Sequence, residues 1–95
     1  MFAVIRHYHF DKKDTAEVDR LINDGFVPII RKAPGFVSYY WLDTGDGEGA
    51  SFSVFNDKTG ADESVRLAAD FARTNMANLL REQPEIVEGP IAAHD

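Results

Sequence analysis

The chain has no cysteine, which removes disulfides, thiolate nucleophiles and cysteine-ligated zinc from consideration. Long apolar runs are missing too. Nothing approaches the ~18 consecutive residues that a membrane span needs. The opening Met1-Phe2-Ala3-Val4-Ile5-Arg6 meets a charge too early for a secretion signal, so a cytoplasmic protein is expected, with no membrane partner. Basic residues are few: ten Lys and Arg stand against sixteen acids, for a net charge of −6. Only Lys12–Lys13 and Arg31–Lys32 adjoin, and a nucleic-acid groove requires basic clustering. Nucleic acid is therefore excluded as a partner. No Ser-His-Asp set, phosphate-cradling glycine loop or dinucleotide fingerprint is present, which leaves acyl, phosphoryl and hydride transfer without support. The four prolines and seven glycines fall at element boundaries, and neither a linker nor a low-complexity tail is seen.

What remains is ordinary globular composition, 44% hydrophobic and 27% charged over 95 residues, enough for a single domain spanning 1–95. Strand-like Phe2–His9 precedes helical Thr15–Arg31. A hairpin follows, Gly35–Leu42 and Ala50–Phe55 around a turn at Asp43–Gly49, then helical Asp62–Arg81 and strand-like Ile86–Ile91. The order β-α-β-β-α-β is that of an α+β, ferredoxin-like domain with an antiparallel sheet. Asp14 with Glu17, and Thr59 with Asp62, stand at capping-box spacing. Gly25 and Pro28 predict a kink in the first helix. Pro90 cannot donate to a ladder and predicts an edge position for the last strand. The acid–glycine turn Asp43–Gly49 lacks the register of a calcium loop and reads as a solvated hairpin turn.

Two helices on one side of one sheet leave its other face bare, with Ile5 and part of the hairpin's aromatic content on it. Soluble monomers rarely expose such a patch, and covering it with a second copy predicts a homodimer.

Ala33-Pro34-Gly35-Phe36-Val37-Ser38-Tyr39 entering the hairpin, Ser53-Val54-Phe55-Asn56-Asp57 entering the second helix, and the ending Pro84-Glu85-Ile86-Val87-Glu88-Gly89 resemble the dimeric α+β barrel superfamily. Within it they resemble the antibiotic biosynthesis monooxygenase (ABM)-like domain. The resemblance runs over nearly the whole chain. It implies two monomers forming a barrel and a pocket between sheet and helices for an aromatic or polycyclic ligand. It also implies a cofactor-independent monooxygenase acting with O₂ on a quinol-like or polycyclic aromatic substrate. No cofactor and no metal are expected. Heme-degrading members resemble one another in an Asn on strand one and a Trp and a His on helix two. Here His7 stands near the Asn position and Asp62–Arg81 holds neither Trp nor His, which disfavours that activity. The alternative is a non-catalytic, small-ligand-binding or structural dimer of the same fold.

Candidate site residues follow from chemistry and face. His7 and His9 share one face of strand one, so they suit a base or a metal, although spacing supplies no third ligand. His7 is the expected base, with packing at a rim or interface the plainer reading. Tyr39 and Trp41 share a face and suit stacking on a flat substrate, or else they close the core. Ser53 and Phe55 look like a pocket lining. Phe71 and Asn75 lie one helical turn apart, and the Asn amide suits a carbonyl or enolate oxygen, unless it is merely solvated. Arg6 is out of place on the Phe2/Val4/Tyr8 face and is expected to snorkel outward or to meet an acid such as Glu88.

Overall fold

A computed structural model describes residues 1–95. Four strands, β1 (Phe2–His9), β2 (Phe36–Gly45), β3 (Glu48–Phe55) and β4 (Glu85–Pro90), form one antiparallel sheet in the order β2-β3-β1-β4. This is the ferredoxin-like arrangement that the element order predicts, with β4 on an edge as Pro90 requires. No helix is long and apolar enough to cross a membrane.

The hairpin turns more tightly than expected. Only Asp46 and Gly47 separate the strands, with φ of 55° and 78°, the left-handed pair of a two-residue turn in which Asp-Gly is favoured. Gly45 (φ 93°) accommodates the adjoining register shift.

The first helical region is not one helix. A 3-10 turn (Lys12–Asp14) leads into α1 (Thr15–Leu21), a wide π turn (Ile22–Phe26) and the single turn α2 (Val27–Ile30). Pro28 has no N–H for an i−4 bond, and the wider turn ahead of it, with the Val27 N–H on the Ile22 carbonyl, absorbs the defect. Gly25 sits in that turn where a Cβ would lie 2.9 Å from the Phe71 ring. The expected interruption therefore also brings the chain down onto the second long helix, α3 (Lys58–Asn75).

Both caps differ from expectation. Asp11, not Asp14, accepts from the Lys13 N–H at 3.0 Å, while Glu17 pairs with Arg20. Asp57 accepts from the Thr59 N–H at 3.1 Å, so α3 begins earlier than its Thr59–Asp62 spacing suggests. It also stops earlier, at Asn75 rather than Arg81. There Met76 leaves helical geometry to become buried, and Leu80 forms an antiparallel bridge with Phe10. Tertiary burial overrides helix propensity in this stretch.

The helices cover one face of the sheet. Val4, Tyr8 and Phe55 from the strands meet Val18, Ile22, Phe26, Ile30, Ala68, Phe71 and Met76 in one buried cluster, each large apolar side chain contributing about 1.5–3 kcal/mol. Phe26 is central, with ring centroids 5.6 Å from Tyr39 and 5.3 Å from Phe71. The first turn of α3 can approach because Gly60 lies under the Pro34 carbonyl, where a Cβ would come within 2.1 Å.

The opposite face has no helix. Register aligns Tyr40, Phe52, Ile5 and Val87 in one row across all four strands. Tyr40, Ile5 and Val87 are among the exposed large hydrophobic residues.

Candidate functional site

The alternation of β1 sends Phe2, Val4, Arg6 and Tyr8 toward the helices. Arg6 is thereby carried into the interior. Its residue is 1% exposed, with Ile86 and Ser51 as its neighbours on the adjacent strands. It neither snorkels to a rim nor hydrogen-bonds to Glu88. Its Nη2 donates to Ser64 Oγ of α3 at 2.9 Å, and that hydroxyl donates in turn to the Ala61 carbonyl at 2.6 Å. Nε and Nη1 of Arg6 have no partner within the protein. Burial lowers the pKa of the guanidinium, an effect opposed by Tyr8, Tyr39 and Glu88; an arginine nonetheless stays charged. Leaving such donors unmade is costly in a closed interior.

Arg6 also lines a cavity of about 670 Å³ between α3, the segment that follows it and β4. A space of this size suits a small organic molecule. Its helix wall is Val65, Ala68, Ala69 and Ala72, one stripe of mostly small residues that leaves room above the sheet. Ile86 and Leu80 add apolar surface. Arg73 and Arg81 also line it, with Glu82 as the one acidic residue. The cavity is thus positively biased within a chain of net charge −6. Arg73 also pairs with Asp70 at 2.9 Å and Arg81 with Asp11 at 3.5 Å, so Arg6 is the cation without a carboxylate partner.

Two tyrosines stand near Arg6. Burial raises the pKa of Tyr8, with Arg6 opposing it. Burial likewise raises that of Tyr39, reinforced by Tyr8 and opposed by Arg6. Both phenols are therefore held neutral.

None of His7, His9, Tyr39, Trp41, Ser53, Phe55, Phe71 and Asn75 lines this cavity. Tyr39 packs on Phe26. Trp41 stacks near Tyr8 with centroids 5.6 Å apart, and its indole N–H donates to Asp19 Oδ1 at 2.8 Å. Ser53 is fully buried and donates to the Val4 carbonyl at 3.4 Å. Phe55 is fully buried against Phe36. Phe71 belongs to the core, and the Asn75 amide donates back to the Phe71 carbonyl at 3.2 Å. His7 and His9 lie on the helix-free face, so within one chain they do not share a pocket with Ser53. Arg6 is the residue that sequence reading noticed without placing. Its misfit on an apolar face was the available signal, and Ser64 carried none.

No family model matches the sequence, and no curated protein sequence does. Solved structures do match. A protein of unknown function from Nitrosomonas europaea superposes with a TM-score of 0.84 at 20% identity, over 99% of this chain and 91% of its own. The monooxygenase from the ActVA-Orf6 gene of Streptomyces coelicolor, solved with nanaomycin D, gives 0.76 at 19%, over 98% and 89%. SnoaB, a cofactor-independent oxygenase of Streptomyces nogalater, gives 0.77 at 14%, over 98% and 94%. The chain therefore has the ABM-like α+β fold, and identities this low establish the fold alone.

Proposed function

We propose that this protein binds a small, largely apolar molecule with an acidic hydroxyl or other anionic oxygen in the α3–β4 cavity, and oxidises it with O₂. The observation that carries the reading is Arg6: a buried, charged side chain with two unpaired donors, lining a cavity whose α3 wall is largely apolar. A phenolate or enolate oxygen satisfies those donors with charge-assisted hydrogen bonds. Two structures of the same fold, named as a monooxygenase and a cofactor-independent oxygenase, support the choice of reaction.

The chemistry is self-sufficient. A quinol that gains one oxygen atom to become a hydroxyquinone surrenders four electrons, which is what O₂ needs to yield that inserted oxygen and one water. One ring C–H bond, two O–H bonds and the O–O bond break, while one ring C–O bond forms together with three O–H bonds, one on the new hydroxyl and two in water. Arg6 favours the anion of the substrate, the form electron-rich enough to pass an electron to O₂, and the alanine stripe keeps water from the radical pair. The substrate proton has Glu82, the one carboxylate among the lining residues, as its acceptor. His7, the base expected from the sequence, takes no step inside this cavity.

A second copy is part of the proposal. The row Tyr40, Phe52, Ile5 and Val87 is largely apolar and without a helix over it, and a two-fold partner of the same composition covers it.

The test is O₂ uptake with a panel of quinols and anthrone-type phenols, comparing the parent protein with Arg6→Met and His7→Ala. The account expects uptake with at least one class of phenol, lost in Arg6→Met and kept in His7→Ala. A second reading, binding without turnover, is favoured by the lack of any histidine in the cavity. Saturable ligand binding with no O₂ uptake across the panel selects it.

A further inference from the structure

On the sheet face opposite the cavity, register brings together groups that are far apart in the sequence. His7 and His9 project from β1, Glu48 stands opposite His9 on β3, and Glu85 stands opposite His7 on β4. We propose that His7, His9 and Glu48, backed by Glu85, form a binding site for one divalent first-row transition ion, with Zn²⁺ the expected occupant.

The spacing fits. His7 Nε2 is 3.0 Å and His9 Nδ1 is 3.7 Å from the same Glu48 oxygen. One donor atom from each of the three residues lies within 4.8 Å of the other two. Ligands held ~2.0–2.1 Å from a tetrahedral ion stand roughly 3.3–3.4 Å from one another, so closing the set needs only small side-chain movements. The imidazoles lie edge to face, with centroids 4.7 Å apart at 68°, while one nitrogen of each approaches the same Glu48 oxygen.

The remaining nitrogens are also provided for. His7 Nδ1 is 3.5 Å from Glu85, and His9 Nε2 is 3.5 Å from Glu82 and 3.7 Å from Glu85. A carboxylate behind each ligating imidazole fixes its tautomer and strengthens it as a ligand. Three acids around two imidazoles leave a negative excess that a dication balances. The ligands sit on paired strands, and Glu48 is pinned directly after the two-residue turn. In the single chain all three keep 29–39% of their side-chain surface exposed, at the hairpin-turn end of this face and beyond the Ile5 row proposed for the dimer contact. Two nitrogens and one carboxylate oxygen, with coordination positions left over, suit Zn²⁺ and its neighbours rather than Mg²⁺ or Ca²⁺.

The experiment is a Co²⁺ titration of the full chain after dialysis against a chelator, read by visible absorption and competed with Zn²⁺. The expected result is a band saturating at one ion per chain and abolished by Zn²⁺. Glu48→Gln and His7→Ala each weaken it at least tenfold, and His94→Ala leaves it unchanged. Zn²⁺ should also raise the melting temperature of the parent and not that of Glu48→Gln. No saturable band in the parent, or one that survives both Glu48→Gln and His7→Ala, overturns the site.

Discussion

Arg6 and Ser64 are 58 positions apart in sequence and 2.9 Å apart in the fold, the guanidinium Nη2 donating to the serine hydroxyl. This bond spans from β1 to α3 beside the cavity and leaves the other two faces of the guanidinium uncommitted. The arrangement is poor as a stabilising device, because a buried charge without a carboxylate is rarely worth its desolvation. It is good as an anchor for a guest that brings the missing negative charge.

Arg6→Met should therefore fold and melt no lower than the parent, and up to several degrees higher, since ~1 kcal/mol moves a domain of this size by about 4–8 °C. Ser64→Ala should do the opposite, losing about 1.5–3 kcal/mol because it strands a further charged donor. Calorimetry on the two variants checks both signs.

The link between Trp41 Nε1 and Asp19 Oδ1, 2.8 Å long, ties β2 to α1 near the rim of the sheet. Asp19→Asn and Trp41→Phe should each cost about 1–2 kcal/mol. The double variant should cost clearly less than the sum, as denaturant unfolding of the cycle would show.

Alkaline pH should destabilise the fold through Tyr8 and Tyr39. Burial raises both phenol pKa values in the folded state. Their contribution is complete below the unfolded value near 10 and is lost as pH rises from there toward the folded values. Each phenol then contributes a slope of about 1.4 kcal/mol per pH unit. The Arg6 guanidinium opposes both shifts. Tyr39→Phe should flatten the fall measured by urea unfolding above pH 10.

The helix-free row predicts the assembly. Gel filtration with light scattering should find a dimer for the parent protein and a monomer for Ile5→Lys, which places a charge in the middle of that row. A monomeric parent would leave the exposed Tyr40, Ile5 and Val87 without the partner proposed for them.

Much of the architecture was legible because period and punctuation carry it. The aromatic content of the hairpin, the interruption at Gly25 and Pro28, and the edge signal of Pro90 all reach the right elements. Local chemistry misled at the caps, because Asp11 and Asp57 already satisfy the helix starts that Asp14 and Thr59 were expected to close. The end of α3 was hidden for a different reason: the burial of Met76 and the bridge from Leu80 to Phe10 are tertiary facts. The site was hardest to see. Face alternation separated His7 from Arg6, yet nothing in the spacing says which face the helices cover. The partners of both residues, Ser64 for one and Glu48 with Glu85 for the other, become neighbours only through register and packing.

The account stands most directly on Arg6 as the anchor of an anionic guest. The measurement that tests it is the affinity of the parent and of folded Arg6→Met for a naphthoate-type aromatic acid and for its neutral methyl ester, by titration calorimetry. The account predicts that the parent prefers the acid and that Arg6→Met binds it about 10–100-fold more weakly, as expected for losing a charged hydrogen bond of about 1.5–3 kcal/mol. Ester binding should stay unchanged. Equal affinity of parent and variant for the acid would contradict the account.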